Sequence, residues 1–134
     1  ITINACGNSA SGIKLDSGYG ADSGVIVGDG PITIGNGCTF AGSGQAGSYL
    51  MILSAKNAPT ETIMEVNNNS SGVIYYAGHG LIKLKQNAAA KEVTAYGIKM
   101  EENSTITYES GLADLNFSSG PGGSFEITKW RETQ

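Results

Sequence analysis

The chain has 134 residues, a net charge of −4 and no cluster of Lys or Arg, so the basic footprint of a nucleic-acid or anionic-lipid binder is missing. No apolar run approaches the ~20 residues of a membrane-spanning helix. Glycine fills 20 positions, about twice its usual ~7% share, and aromatics only 7%, which calls for many turns and a thin aliphatic core.

Short β-favouring segments begin at once: "ITI" at 1–3, "IKL" at 13–15, "VIV" at 25–27 and a second "ITI" at 32–34. "YLMIL" at 49–53, "TIMEV" at 62–66, "VIYY" at 73–76 and "LIKL" at 81–84 continue the series. "GIKM" at 97–100, "TITY" at 105–108 and "FEIT" at 125–128 complete it. Gly, Asn, Ser and Asp between them supply turn geometry. Most of the later segments alternate apolar with polar residues, so each predicts a strand with one buried face. Only "NAAAKEVTAYG" at 87–97 has helical propensity, and Val93, Thr94 and Tyr96 pull it back toward a turn or a small-residue strand.

An internal repeat accompanies these strands. "GVIVGDGPITIGNG" at 24–37 matches "GVIYYAGHGLIKLKQN" at 72–87 if two residues are inserted. Self-similarity of this kind predicts an all-β, single-domain solenoid over 1–134, each coil burying its inner face against its neighbours. Its inward positions include Ile32, Ile34, Ile82, Leu84, Ile98, Met100 and Ile106. An immunoglobulin-like sandwich is the structural alternative, although its strands usually run longer.

Cys6 and Cys38 each follow an Ile-Thr-Ile triplet. Stacked triplets would bring the sulfurs within bridging reach, and two buried thiols are the alternative. Two Cys and the distant His79 fall short of the three or four ligands of a zinc site.

The remaining motifs point away from catalysis. "GSGQAG" at 42–47 has the form G-x-G-x-x-G, but a strand-like "SYLMIL" follows where a dinucleotide site needs a helix. His79 lies at a Gly-flanked corner whose counterpart in the repeat carries Asp29, and no nucleophile elbow accompanies it. The carboxylates Asp16, Asp22, Asp29, Glu61, Glu65, Glu101, Glu102, Glu109 and Asp114 form no alternate-residue cluster of the sort a glycosidase or a calcium loop uses. A calcium ion near Asp22 or Asp29 would be incidental. Sequons at Asn68, Asn69, Asn103 and Asn116 mark segments that tolerate exposure.

"SGLADLNFSSGPGGSFEITKWRE" at 110–132 resembles the C-terminal end of bacterial pilin-like (PilX-type) surface proteins, with its Gly-Leu, its Phe-x-Ser-Gly-Pro-Gly-Gly, and a Trp followed by an acidic residue, here Trp130 and Glu132. "GSYLMILSAKN" at 47–57 and the stretch 70–101 resemble the body of the same domains. The resemblance implies a right-handed β-helix, the extracellular or cell-surface ectodomain of a longer precursor. It brings no catalytic residue and no cofactor. The pilin helix is absent, and Phe125 stands where a Trp is expected.

These readings converge on a non-catalytic extracellular module serving assembly or adhesion. Its partners would be other pilin-like or surface subunits, or a host-surface glycan or protein. Phe117, Phe125 and Trp130 would form an aromatic C-terminal cap over the open end of the stack, with the Gly-Pro-Gly-Gly turn at 120–123 between them. An exposed aromatic patch is the rival role for those three. The rival function is a polysaccharide-binding or polysaccharide-degrading β-helix protein, with Tyr75, Tyr76, Tyr96 and Tyr108 as outward platforms.

Overall fold

A computed structural model of the chain describes residues 1–4, 6, 12–109 and 112. The described residues are mostly strand, with a 3₁₀ turn at Ser17–Tyr19 in which the Asp16 carboxylate accepts from Gly18 N–H. The strands are β1 (Thr2–Ile3), β2 (Gly12–Lys14), β3 (Gly24–Gly28), β4 (Ile32–Ile34), β5 (Thr39–Ala41) and β6 (Leu50–Ser54). They continue as β7 (Ala58–Val66), β8 (Ile74–Leu84), β9 (Ala89–Ala90), β10 (Glu92–Met100) and β11 (Thr105–Ile106).

Every strand pairing among the described residues is parallel. One ladder runs β1-β4-β7-β8-β10, another β3-β6-β8-β10, and a third joins β2-β5 to β9-β11 through isolated bridges at Ser71. Side chains in register form columns across the ladders. Ile32, Met64 and Ile82 make one, and Ile34, Val66 and Leu84 another, all of them buried. Period-two alternation explains why: Thr33, Glu65 and Lys83, between those positions, face outward. Each such aliphatic side chain contributes about 1.5–3 kcal/mol by its burial.

This architecture corrects the solenoid expected from the repeat and the right-handed β-helix implied by the resemblance. The long strands β8 and β10 each pass through two ladders, fusing them into one seven-stranded sheet curved as a parallel half-barrel. The third ladder remains as two separate two-stranded sheets. Coil length is also uneven. Register steps from Thr2 to Thr33 and from Thr33 to Glu65 are long, whereas those from Glu65 to Lys83 and from Lys83 to Lys99 are roughly half as large. The repeat itself has a structural counterpart, because Ile32 and Ile82 lie in one column with Met64 between them. It spans two layers.

Three expected core positions also differ. Ile98, Met100 and Ile106 are 44%, 49% and 38% exposed. They end their columns on β10 and β11, and no described strand pairs beyond either. The aliphatic core therefore stops one layer earlier than the alternation alone implies.

A smaller cluster of Tyr49, Val73, Ile74 and Leu112 occupies the opposite face of β6 and β8, with Met51 packed against it. Burial on both faces gives this part of β8 the near-continuous apolar reading of a parallel-sheet strand.

Turns between the first and third ladders repeat one device. Gly37, Asn69, Asn87 and Asn103 all adopt positive φ, between 56° and 69°. Gly37 N–H donates to Asn68 C=O, Asn69 N–H to Gln86 C=O, and Asn87 N–H to Glu102 C=O. Asn is among the few side chains that tolerate this conformation.

Candidate functional site

A concave surface follows the third ladder. Two adjoining hollows, of about 540 and 410 Å3, share Ala41, Val73 and Lys91 as walls. The first is bounded by the loop at 42–49 with Lys14 and Glu109, and the second by β9, β11 and Ser71–Gly72. Ala41 on β5 and Ala89 and Ala90 on β9 line these hollows with small side chains, beside the ring of Phe40.

The loop at 42–49 contains the "GSGQAG" motif, and the structure places it between two strands with no helix behind it. Serines hold it. Ser48 Oγ donates to Asp22 C=O at 2.6 Å and accepts from Ser43 N–H at 2.9 Å. Ser43 Oγ donates to Gly20 C=O, and Ser23 Oγ donates to Gly47 C=O at 3.2 Å while accepting from Tyr49 N–H at 3.0 Å. Ser54 and Ser70 do the same at other corners, donating to Gly30 C=O and Gly35 C=O. A buried hydroxyl without a partner costs about 1–3 kcal/mol, so these bonds make burial of the serines tolerable. Sequence reading treats such serines as turn residues and misses their role as corner pins. The signal was their recurrence beside strand ends.

Charged groups are paired along the surface. Lys91 bonds Glu109 at the groove, Lys85 lies 2.9 Å from Glu65, Lys83 2.7 Å from Glu101 and Lys56 2.5 Å from Glu61. The hydrogen bond from Lys83 holds the Glu101 carboxyl below its ordinary range and raises the Lys83 ammonium. Glu92 shifts the other way, its carboxyl raised by burial. Among the described residues no group of three or more His, Cys, Asp or Glu side chains is placed to hold a metal ion. Asp22 and Asp29 are both exposed.

The structure joins Cys6 and Cys38 in a disulfide with the Cα atoms 4.9 Å apart. The two Ile-Thr-Ile triplets lie side by side, Thr2 with Thr33 and Ile3 with Ile34, which delivers the cysteines to one another. His79 is exposed at the bend of β8. Phe117, Phe125 and Trp130 lie outside the described residues.

Of the tyrosines read as platforms, Tyr96 and Tyr108 are exposed and Tyr76 is partly so. Tyr75 is not a platform. Its side chain is fully buried in the main core, on the inward column between Ile52 and Val93, and burial pushes its phenol well above the ordinary range. Adjacent tyrosines in a strand must point to opposite faces, so one of the pair had to be internal.

No helix among the described residues is long and apolar enough to cross a membrane. No protein family, curated protein or solved structure matches this chain.

Proposed function

We propose that this chain is a non-catalytic structural or adhesive module of an extracellular, pilin-like surface protein. The observation that carries the reading is how the polar side chains around the groove are used. Ser43 and Ser48 pin backbone carbonyls, and Lys91 is tied to Glu109. Acid–base chemistry needs a titratable pair converging on one reacting atom, whereas Ser43 and Ser48 are turned into the fold and the surface pair Lys91 and Glu109 is engaged with itself. The Cys6–Cys38 disulfide supports maturation in an oxidising compartment. The pilin-like assignment rests on the resemblance of residues 110–132.

A polysaccharide-binding or polysaccharide-degrading protein is the second reading, favoured by the open groove and by exposed Tyr108, next to the groove residues Thr107 and Glu109. A glycan array followed by product analysis separates the two. Binding without turnover fits an adhesive module, and absence of both fits an assembly role. Turnover of any glycan would overturn the non-catalytic reading.

A further inference from the structure

We propose that copies of this chain join end to end by strand pairing, with β10 and β11 of one copy against β3, β1 and β2 of the next. This deepens the assembly role proposed above and rests on it.

The parallel ladders give the molecule two unlike ends. At one end lie β1, β2 and β3, and at the other β10 and β11. No described strand pairs on their outer sides. Backbone phase identifies the free groups. Gly24 N–H donates to Tyr49 C=O and Gly28 C=O accepts from Ala55 N–H, so residues 24, 26 and 28 face β6. Val25 and Val27 therefore present their amides and carbonyls to the side of β3 on which no described strand pairs. At the opposite end Glu101 N–H donates to Leu84 C=O, so residues 97, 99 and 101 face β8. Ile98 and Met100 present theirs outward.

The side chains at the two ends continue the same internal columns. Met100 ends the column that runs from Ile3 through Ile34, Val66 and Leu84. Ile98 ends the column of Ile32, Met64 and Ile82. In the third ladder, Ile13 lies beside buried Phe40 at one end and Ile106 beside buried Ala90 at the other. Ile13 and Ile106 are both 38% exposed. A second copy set on either end extends all three ladders and covers these residues at one stroke.

Charge does not oppose the contact. β1, β3 and β11 contain no ionisable side chain, β2 contributes Lys14, and β10 contributes Glu92 and Lys99, of opposite sign. Proteins normally blunt such an edge with Lys, Pro or a bulge. β3, read Gly-Val-Ile-Val-Gly, has none of these, whereas β2 carries Lys14 and β10 carries Lys99 and a register irregularity between Ala95 and Gly97. Because the two ends differ, the contact is heterologous, and one junction leaves a free end for the next.

Sedimentation velocity on the disulfide-intact chain tests this, using Val27→Pro to block one edge and Met100→Pro to block the other. The expected result is concentration-dependent growth past the dimer for the unaltered chain up to roughly 0.1–1 mM. Each variant alone should be monomeric, and their equimolar mixture should form a dimer that grows no further. Ile13→Lys and Met100→Lys, which place a charge at the ends of two columns, should repeat the pattern without altering any backbone donor. Retained cooperative melts establish that the variants are folded. A monomeric unaltered chain across that range would overturn the proposal, and slow exchange of the Val27 and Met100 amides would then assign the edges to cover from the same chain. Self-association persisting in either variant alone would also overturn it, because like ends would be meeting. Neither result touches the non-catalytic reading, which glycan turnover decides.

Discussion

The Tyr75 hydroxyl occupies the space where a side chain on Gly72 would begin: a Cβ at residue 72 would stand 2.2 Å from the phenol oxygen. The ring is buried in the core, and its hydroxyl has no hydrogen-bond partner among the described residues. Gly72→Ala should therefore lower stability by about 1–3 kcal/mol through overpacking. Tyr75→Phe should raise it by up to about 1–3 kcal/mol, because an unsatisfied buried donor is removed. Urea midpoints of both variants check this pair. A loss of stability in Tyr75→Phe would show that the hydroxyl is bonded.

Cys6 and Cys38 close a loop spanning 32 residues. Replacing both with Ala should cost about 3–4 kcal/mol, the loop-closure entropy regained by the unfolded chain. The reduced parent protein should match the double variant in a denaturant titration. A parent that loses nothing on reduction would contradict this account of the bridge.

Strand positions were largely legible in the sequence, because alternation at 32–34, 62–66 and 81–84 is a property of the segment itself. The pairing order was not. Nothing in "VIYYAGHGLIKL" says that it forms the single strand β8 running past a Gly-rich bend and joining two ladders, since that depends on which neighbours it meets. The error at Ile98 and Met100 has the same origin. Alternation assigns a face, whereas burial requires something to cover that face. At the groove, Gly and Ser were read as turn formers, and only the fold reveals that Ser48 reaches back to Asp22. The two Ile-Thr-Ile triplets were the strongest long-range signal, because identical strands lying in register carry along whatever follows them.

Glu92 and Glu101 should respond to pH in opposite senses. Burial raises the Glu92 carboxyl, so the folded state binds more protons than the unfolded one between the ordinary and the raised value. Its unfavourable contribution appears as pH rises through that window. The hydrogen bond from Lys83 lowers the Glu101 carboxyl, so its favourable contribution is present above the ordinary carboxylate range and is lost as pH falls toward the lowered value. Glu92→Gln should therefore stabilise the protein at about pH 7 and have little effect at about pH 3. Glu101→Gln should weaken it at the higher pH, with the loss fading in acid. Melting temperatures across pH check both, and parallel trends would refute the assignment.

The positive-φ turns give the last prediction. Asn69, Asn87 and Asn103 hold φ values of 58°, 58° and 56°, a conformation that crowds the Cβ of most residues against the following carbonyl. Asn103→Ala should cost about 1–2 kcal/mol, whereas Asn103→Gly should fall within a few tenths of the parent, since Gly enters this region without a Cβ. Gly37 occupies the equivalent turn at φ 69°, so Gly37→Asn should be close to neutral. Asn87 differs, because its Nδ2 also donates to Asn69 Oδ1 at 3.1 Å. Asn87→Gly keeps the backbone and loses that bond, which predicts a cost of about 0.5–1.5 kcal/mol. Denaturant midpoints of these variants should rank Asn103→Gly nearest the parent, Asn87→Gly below it and Asn103→Ala lower still. An Asn103→Ala variant as stable as Asn103→Gly would mean that the turn relaxes out of positive φ, and that the backbone does not select Asn at these positions.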